Sequence, residues 1–333
     1  MRSMFVRVLT DEDHEGQCVT WLLSPEEFEA ALPELKAATI GRDVHDVEAI
    51  SFALTDGLRR PSASSSIVDI CLWDALGKHH GEPIYKLLGA ARNRIPAYAS
   101  TTAYATDEEW IEVALQCQAQ GFHACKVHPY GAPDKDIRLC RALREAVGDT
   151  MVLMIDAGNA YDREEARRVA KVLEELDFYR FEAPVSDFDI EGLTELRRTC
   201  TMDVCAAEFV TTGFRSHGPY VTGRAVDTLR SIGDVIGGIT AMRKSAALCE
   251  AFDIQYDPHS YGTTHVQAAH LNIMFAIHHC EYAELPVPLG IFDHGMKDTI
   301  RIDSEGYIHA PLAPGLGYEA DIDVIDKMTI RQI

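Results

Sequence analysis

Basic residues are scarce in this chain. Its 333 residues carry 31 Lys and Arg against 52 Asp and Glu, a formal charge of -21. So anionic a surface repels phosphate backbones and anionic bilayers, so neither nucleic acid nor membrane is an expected partner. Long apolar runs are missing too: no stretch approaches the roughly 20 residues that span a bilayer. The opening "MRSMFVRVLTDEDHEGQ" lacks the apolar core of a secretion signal. No CxxC pair occurs among the nine cysteines, whose number is odd and several of which lie in apolar runs. They read as free buried thiols of a cytoplasmic protein, not as a disulfide framework. No low-complexity linker divides the chain, and no GxGxxG follows a strand-like run to mark a dinucleotide site.

What is present is alternation. From about residue 94, eight short β-rich runs recur: "IPAYAS", "ACKVHP", "MVLMIDAG", "FYRFEAPV", "DVCAAEFV", "TLRSIGDV", "DIQYDPHS" and "YAELPV". Amphipathic stretches such as "DKDIRLCRALREAVG" and "DREEARRVAKVLEEL" separate them, several opening on a capping Asp or Thr. This pattern predicts an α/β fold, a (β/α)7β barrel of the TIM type over residues 94–299. An open doubly wound sheet shares the alternation. Residues 1–93 read as an α+β capping domain: a hairpin, "MFVRVLT" and "GQCVTWLL", then the helical segments "PEEFEAALPELKAAT", "DVHDVEAISFALTDGLRR" and "SSSIVDICLWDALGKHHGEPIYKLLG". The tail, about residues 300–333, is expected to return to it.

Chemistry collects where the predicted strands end. Strand two ends in Lys126 and His128, strand three in Asp156, four in Glu182, five in Glu208, seven in His259 and eight in Glu284. Barrel enzymes build their sites at these ends. The acids are evenly spaced, 182 − 156 and 208 − 182 both being 26. One acid at a strand end is an ordinary polar terminus. Three on consecutive strands repel one another unless a cation sits among them, and hard oxygen donors with room for water point to Mg²⁺. His265, His270, His278 and His279 read as packing or surface residues.

The ordered motifs "IDAGN", "FEAPV", "AAEF", "IGGIT", "DPHS" and "AELPVP", with "VDICLWDALGKHHGEPIYKLLGA" before them, resemble the mandelate racemase subgroup of the enolase superfamily across nearly the whole chain. The resemblance implies that Asp156, Glu182 and Glu208 bind Mg²⁺. It implies that Lys126 is the base on one side of the substrate, made neutral by partial burial, and that His259 is base or acid on the other. Glu284 would support an enediolate oxygen by hydrogen bonding. The substrate would be a small carboxylate, and the protein a homo-oligomer, dimer or octamer. Four departures stand out. His128 replaces the second lysine of strand two. Ile232 stands where the partner Asp of the strand-seven histidine belongs, with Asp234 the nearest acid. Asn159 comes one residue late. The N-terminus is short by a strand and a covering loop. Dehydration of a sugar acid to a 2-keto-3-deoxy acid is the expected reaction, with His128, Asn159 and Tyr130 suiting a hydroxyl-rich ligand. Racemisation or epimerisation, cycloisomerisation, and a catalytically silent ligand-binding relative are the alternatives.

Overall fold

A computed structural model describes residues 2–55 and 61–333. An antiparallel pair, β1 (Met4–Leu9) and β2 (Glu15–Thr20), opens the chain. Eight parallel strands follow: β3 (Arg94–Ser100), β4 (Ala124–Val127), β5 (Val152–Asp156), β6 (Arg180–Glu182), β7 (Asp203–Ala206), β8 (Thr228–Ser231), β9 (Gln255–Pro258) and β10 (Ala283–Pro286). Each falls on one of the eight runs read from the sequence, β3 starting one residue ahead of its run at Arg94. The ladder runs β10-β3-β4-β5-β6-β7-β8-β9, and β11 (Tyr307–His309) pairs antiparallel with the start of β3. An open doubly wound order is thereby excluded, because consecutive strands from β3 to β9 are neighbours and β10, the last of the eight, pairs with β3, the first. No ladder joins β9 to β10 among the described residues. Pro258 and Pro286 each remove a backbone donor there. The seam is bridged by the Tyr256 N–H donating to the His279 carbonyl at 2.8 Å and Ser260 Oγ donating to the Glu284 carbonyl at 2.7 Å.

Sequence chemistry sets the helix ends. Ser24, Thr106 and Asp162 each cap a helix reciprocally with a Glu three residues on, which satisfies otherwise orphaned N–H groups. The segment "SSSIVDICLWDALGKHHGEPIYKLLG", read as helical, holds two helices. Ala63–His80 stops at Gly81, whose φ of 66° ends a helix without steric cost, and Ile84–Leu87 restarts after Pro83. The segment "DVHDVEAISFALTDGLRR" becomes a 3₁₀ turn, Val44–Asp46, and a helix, Val47–Thr55; its last five residues lie outside those described. Where the sequence showed no helical stretch after strand five, only Phe214–His217 and Gly218–Thr222 form short turns.

Helix Ala63–His80 is buried on every face from Ser64 to Gly77. It is a core helix, not an amphipathic surface one. It packs between β2 and the barrel segment "IGGIT", where a side chain at Gly238 would meet Asp69 Oδ2 at 2.4 Å. Asp69 accepts from the Thr240 N–H at 3.0 Å, and Ser66 Oγ from the Gly237 N–H at 2.9 Å. His265, on helix Thr264–Ala276, accepts from Val19 N–H at Nδ1 and so presents its Nε2–H to the Tyr318 carbonyl. His265 and His270 are thus buried packing histidines, as read. All nine cysteines are unpaired and all but Cys200 are buried. No helix among the described residues is long and apolar enough to cross a membrane.

One buried carboxylate ties three segments together. Asp74 accepts from Gln17 N–H at 2.9 Å and Leu316 N–H at 2.8 Å, and meets Lys78 Nζ at 2.7 Å. Asp74→Ala is expected to cost about 3–5 kcal/mol in urea unfolding, since it strands a lysine and two N–H groups. Glu82→Ala, which breaks the exposed pair with Lys86, is expected to cost less than about 1 kcal/mol. Equal losses would contradict this account of the joint.

Candidate active site

The strands alternate in and out, so register decides what fills the barrel. Asp156 faces Glu182 across β5 and β6, Ser100 faces Lys126, and Arg230 faces Asp257. The inward side chains form a polar column. At its base Arg180 pairs with Asp257 and, at 3.3 Å, with Asp203. Above it Arg230, wholly buried, contacts Glu182 at 2.6 Å, Asp257 at 3.3 Å and the Tyr98 hydroxyl at 3.2 Å, and pairs closely with Glu284. Lys126 Nζ lies 3.0 Å from Glu182, 3.0 Å from Glu284 and 3.4 Å from Asp156. At the top, one carboxylate oxygen each from Asp156, Glu182 and Glu208 lie within 4.8 Å of one another. Two partly exposed imidazoles flank this trio: His128 Nε2 is 3.2 Å from Asp156 Oδ2, and His259 Nε2 is 3.2 Å from Glu208 Oε1.

The electrostatics of the trio are uneven. Burial opposes the charge on Asp156, but Lys126 and His128 outweigh it and hold its carboxyl well below the usual range. Burial pushes Glu182 up against the pull of Arg230 and Lys126. It pushes Glu208 up further; Arg230 works the other way, but Glu182 and Asp156 add like-charge repulsion. Hard oxygen donors converge here, too close for all three to ionise side by side without positive charge among them. The donor set fits Mg²⁺.

Lys126 and Glu284 share one buried charge cluster. Lys126 is 1% exposed; burial and Arg230 oppose its charge, while Glu182 and Glu284 favour it and raise its pKa above the ordinary value. Burial opposes the charge on Glu284, but Arg230 and Lys126 hold its carboxyl below the ordinary range, and it accepts from Ser100 Oγ at 2.8 Å.

The remaining expected residues are placed as follows. Asp234 sits fully buried in the short helix Gly233–Ile236, where neither carboxylate oxygen has a partner and burial lifts its pKa to about 6. His259 Nδ1 is also buried without a partner, so no strand shift joins the two. Burial holds the His259 imidazole pKa well below the ordinary value, which favours its neutral form. Tyr130 spends its hydroxyl on Asp107 at 2.6 Å and stacks edge-on against Trp110. Asn159, at φ 66°, leaves its buried Oδ1 unpartnered. A row of rings, Trp21, Phe292 and Tyr261, leads from the exit of β2 to His259, with neighbouring centroids 5.8, 5.2 and 6.3 Å apart.

Sequence reading missed Arg230 and Asp187. An Arg inside a β-rich run is the only signal the former leaves. The latter leaves none, because its role depends on where the chain goes next. Glu208 lies two residues past the end of β7, after Ala207 at φ 81°, a left-handed conformation that costs a non-glycine residue about 1–3 kcal/mol. Buried Asp187 accepts from Ala207 N–H and Phe209 N–H, both at 2.8 Å. It grips the backbone on either side of Glu208.

Fold and site together describe a parallel barrel with an acidic metal-binding mouth. Residues 109–324 match the family described as "Enolase C-terminal domain-like", and residues 3–89 match "Mandelate racemase / muconate lactonizing enzyme, N-terminal domain". The chain belongs to this family of enzymes. It is 31% identical over 77% of its length to an arabinonate dehydratase of Saccharolobus solfataricus, covering 69% of that protein. It is 29% identical over 96% of its length to a D-galactarolactone cycloisomerase of Agrobacterium fabrum, covering 90%. A D-glucarate dehydratase from Agrobacterium tumefaciens, solved as a complex with magnesium, superposes with a TM-score of 0.87 at 28% identity, over 97% of this chain and 89% of that one. Further relatives include epimerases.

Asp187→Ala is expected to weaken Mg²⁺ binding at least tenfold by calorimetry while far-UV circular dichroism is unchanged, because Glu208 loses the clamp that aims it. Asp187→Asn, which keeps one acceptor oxygen, is expected to recover part of the affinity. Wild-type affinity in both variants would show that Glu208 is held otherwise.

Proposed function

We propose that this protein abstracts the proton next to the carboxylate of a sugar acid, with Mg²⁺ held by Asp156, Glu182 and Glu208, and eliminates the β-hydroxyl as water. The product, after tautomerisation, is a 2-keto-3-deoxy acid. The observation that carries this reading is the pair of imidazoles at the two ends of the carboxylate trio, His128 beside Asp156 and His259 beside Glu208. A dication in the trio would take up negative charge developing on the substrate's carboxylate oxygens. His259, kept neutral by burial, takes the α-proton at Nε2, the nitrogen directed at the trio. His128, at the open rim, gives a proton to the departing hydroxyl. Lys126 and Arg230 do not transfer protons. They neutralise Glu182 and Glu284 from below, so that the trio can lie close without unfolding the barrel. Asn159 Oδ1, lacking a protein partner, accepts from a substrate hydroxyl. Dehydratases of several sugar acids among the relatives support this choice. A cytoplasmic location and a homo-oligomeric state belong to the same proposal.

The flanking imidazoles also suit a second reading. One base on each side of an α-carbon permits racemisation or epimerisation, and epimerases are among the relatives. Incubating the chain with Mg²⁺ and a panel of sugar acids in D₂O separates the two. Dehydration gives keto acid; epimerisation gives deuterium at the α-carbon without it. His259→Asn is expected to lower kcat on the confirmed substrate by about 10²–10⁴-fold, the usual weight of a general base. His128→Gln is expected to reduce elimination while leaving α-deuterium exchange. Neither keto acid nor exchange with any acid of the panel would favour a silent binding relative, and full activity of His259→Asn would refute the assignment of the base.

A further inference from the structure

Away from the barrel mouth, four histidines gather where the end of helix Ala63–His80 meets the β1–β2 turn and the 3₁₀ turn Val44–Asp46. Neighbouring rings of His14, His45, His79 and His80 stand 5.0 to 5.2 Å apart, all edge to face. One nitrogen each from His45, His79 and His80 lie within 4.8 Å of one another, and Nε2 of His45 is 3.2 Å from Nε2 of His80. For metal–nitrogen bonds of about 2.0–2.1 Å in a tetrahedron, ligand nitrogens stand about 3.3 Å apart. The outer nitrogens are already engaged. His45 Nδ1 is 2.8 Å from Asp43 Oδ1, and His79 Nδ1 is 3.2 Å from Glu12 Oε2. A carboxylate on Nδ1–H directs the Nε2 lone pair inward, the usual second-layer arrangement around imidazole-bound metals. Both rings are partly exposed, His45 at 47% and His79 at 31% of the side chain, so an ion can reach them. Nothing in the barrel chemistry uses these residues.

We propose that His45, His79 and His80 form a second metal site, selective for a borderline divalent ion such as Zn²⁺ and distinct from the hard carboxylate site in the barrel. Imidazole nitrogen favours such ions, whereas Mg²⁺ prefers oxygen. A water, or His14 after a side-chain turn, completes the coordination. The ion joins the β1–β2 turn, the 3₁₀ turn and the end of the core helix, and so stiffens the face of the protein remote from catalysis.

The test is a Zn²⁺ titration of the untagged full-length chain in saturating Mg²⁺. One equivalent of Zn²⁺ is expected to bind and to raise the melting temperature. Glu208→Gln should retain it, since the barrel site is not involved. The double variant His45→Gln/His80→Gln, changed only at exposed side chains, should bind Zn²⁺ at least tenfold more weakly and keep its fold and its turnover. Co²⁺ in place of Zn²⁺ should give the intense visible absorption of a four-coordinate ion, absent from the double variant. Zn²⁺ binding that is unchanged in the double variant, or lost in Glu208→Gln, would overturn the proposal. So would no binding at all, which would leave the 3.2 Å contact as an imidazole–imidazole hydrogen bond.

Discussion

Six carboxylates share the barrel interior with three cations. Asp156, Glu182, Glu208, Asp203, Asp257 and Glu284 stand against Lys126, Arg180 and Arg230. Buried charges of one sign are tolerated only when opposite charge is close and well aimed. The three cations meet that demand in the lower and middle layers and leave it unmet at the top, where Glu208 and Glu182 are pushed towards their protonated forms. Every other feature of the site follows from this vertical imbalance. The column is held together by its ion pairs and is short of positive charge at the top.

That distribution explains why neighbouring residues of the same type do different work. Lys126 and His128 lie two apart at the end of β4, yet the lysine points into a nest of carboxylates and the histidine to the rim. The first is favoured as a cation by those carboxylates. The second is about one-third exposed and meets Asp156 at 3.2 Å. Glu284 and Glu208 differ in the same way: Arg230 and Lys126 keep Glu284 ionised, while Glu208 sits beyond the strand end, aimed by Asp187 and touched by His259. Arg230 is the pivot, since its guanidinium reaches both Glu182 and Glu284 in a planar fork that a lysine could not reproduce.

The relatives range over dehydratases, cycloisomerases and epimerases. Here the surroundings of the carboxylate trio are unusual. A histidine takes the rim position on β4, the β9 histidine has a buried Nδ1 without a partner, and the aromatic row from Trp21 to Tyr261 leads up to it.

The sequence by itself determined the order of eight strands, the acids at the ends of three of them, and the histidines that follow β4 and β9. Those are local facts: alternating β-rich runs, capping residues and the position of a charge at the end of an apolar run are legible one segment at a time. It also showed Ile232 where an acid was expected, and the family resemblance on those motifs carried the fold class. Tertiary structure decided the rest, because charge state and aim are set by residues far apart in the chain. Lys126 found its partners in carboxylates 30, 56 and 158 positions away. Glu284 became an anion through Arg230. Tyr130 turned to Asp107, Asp234 was buried away from His259, and Asp187 acquired a purpose only once the loop after β7 folded against it. Spacing along the chain says which side chains lie at the mouth; only the three-dimensional balance of desolvation against neighbouring charge says which of them hold a proton and which can move one.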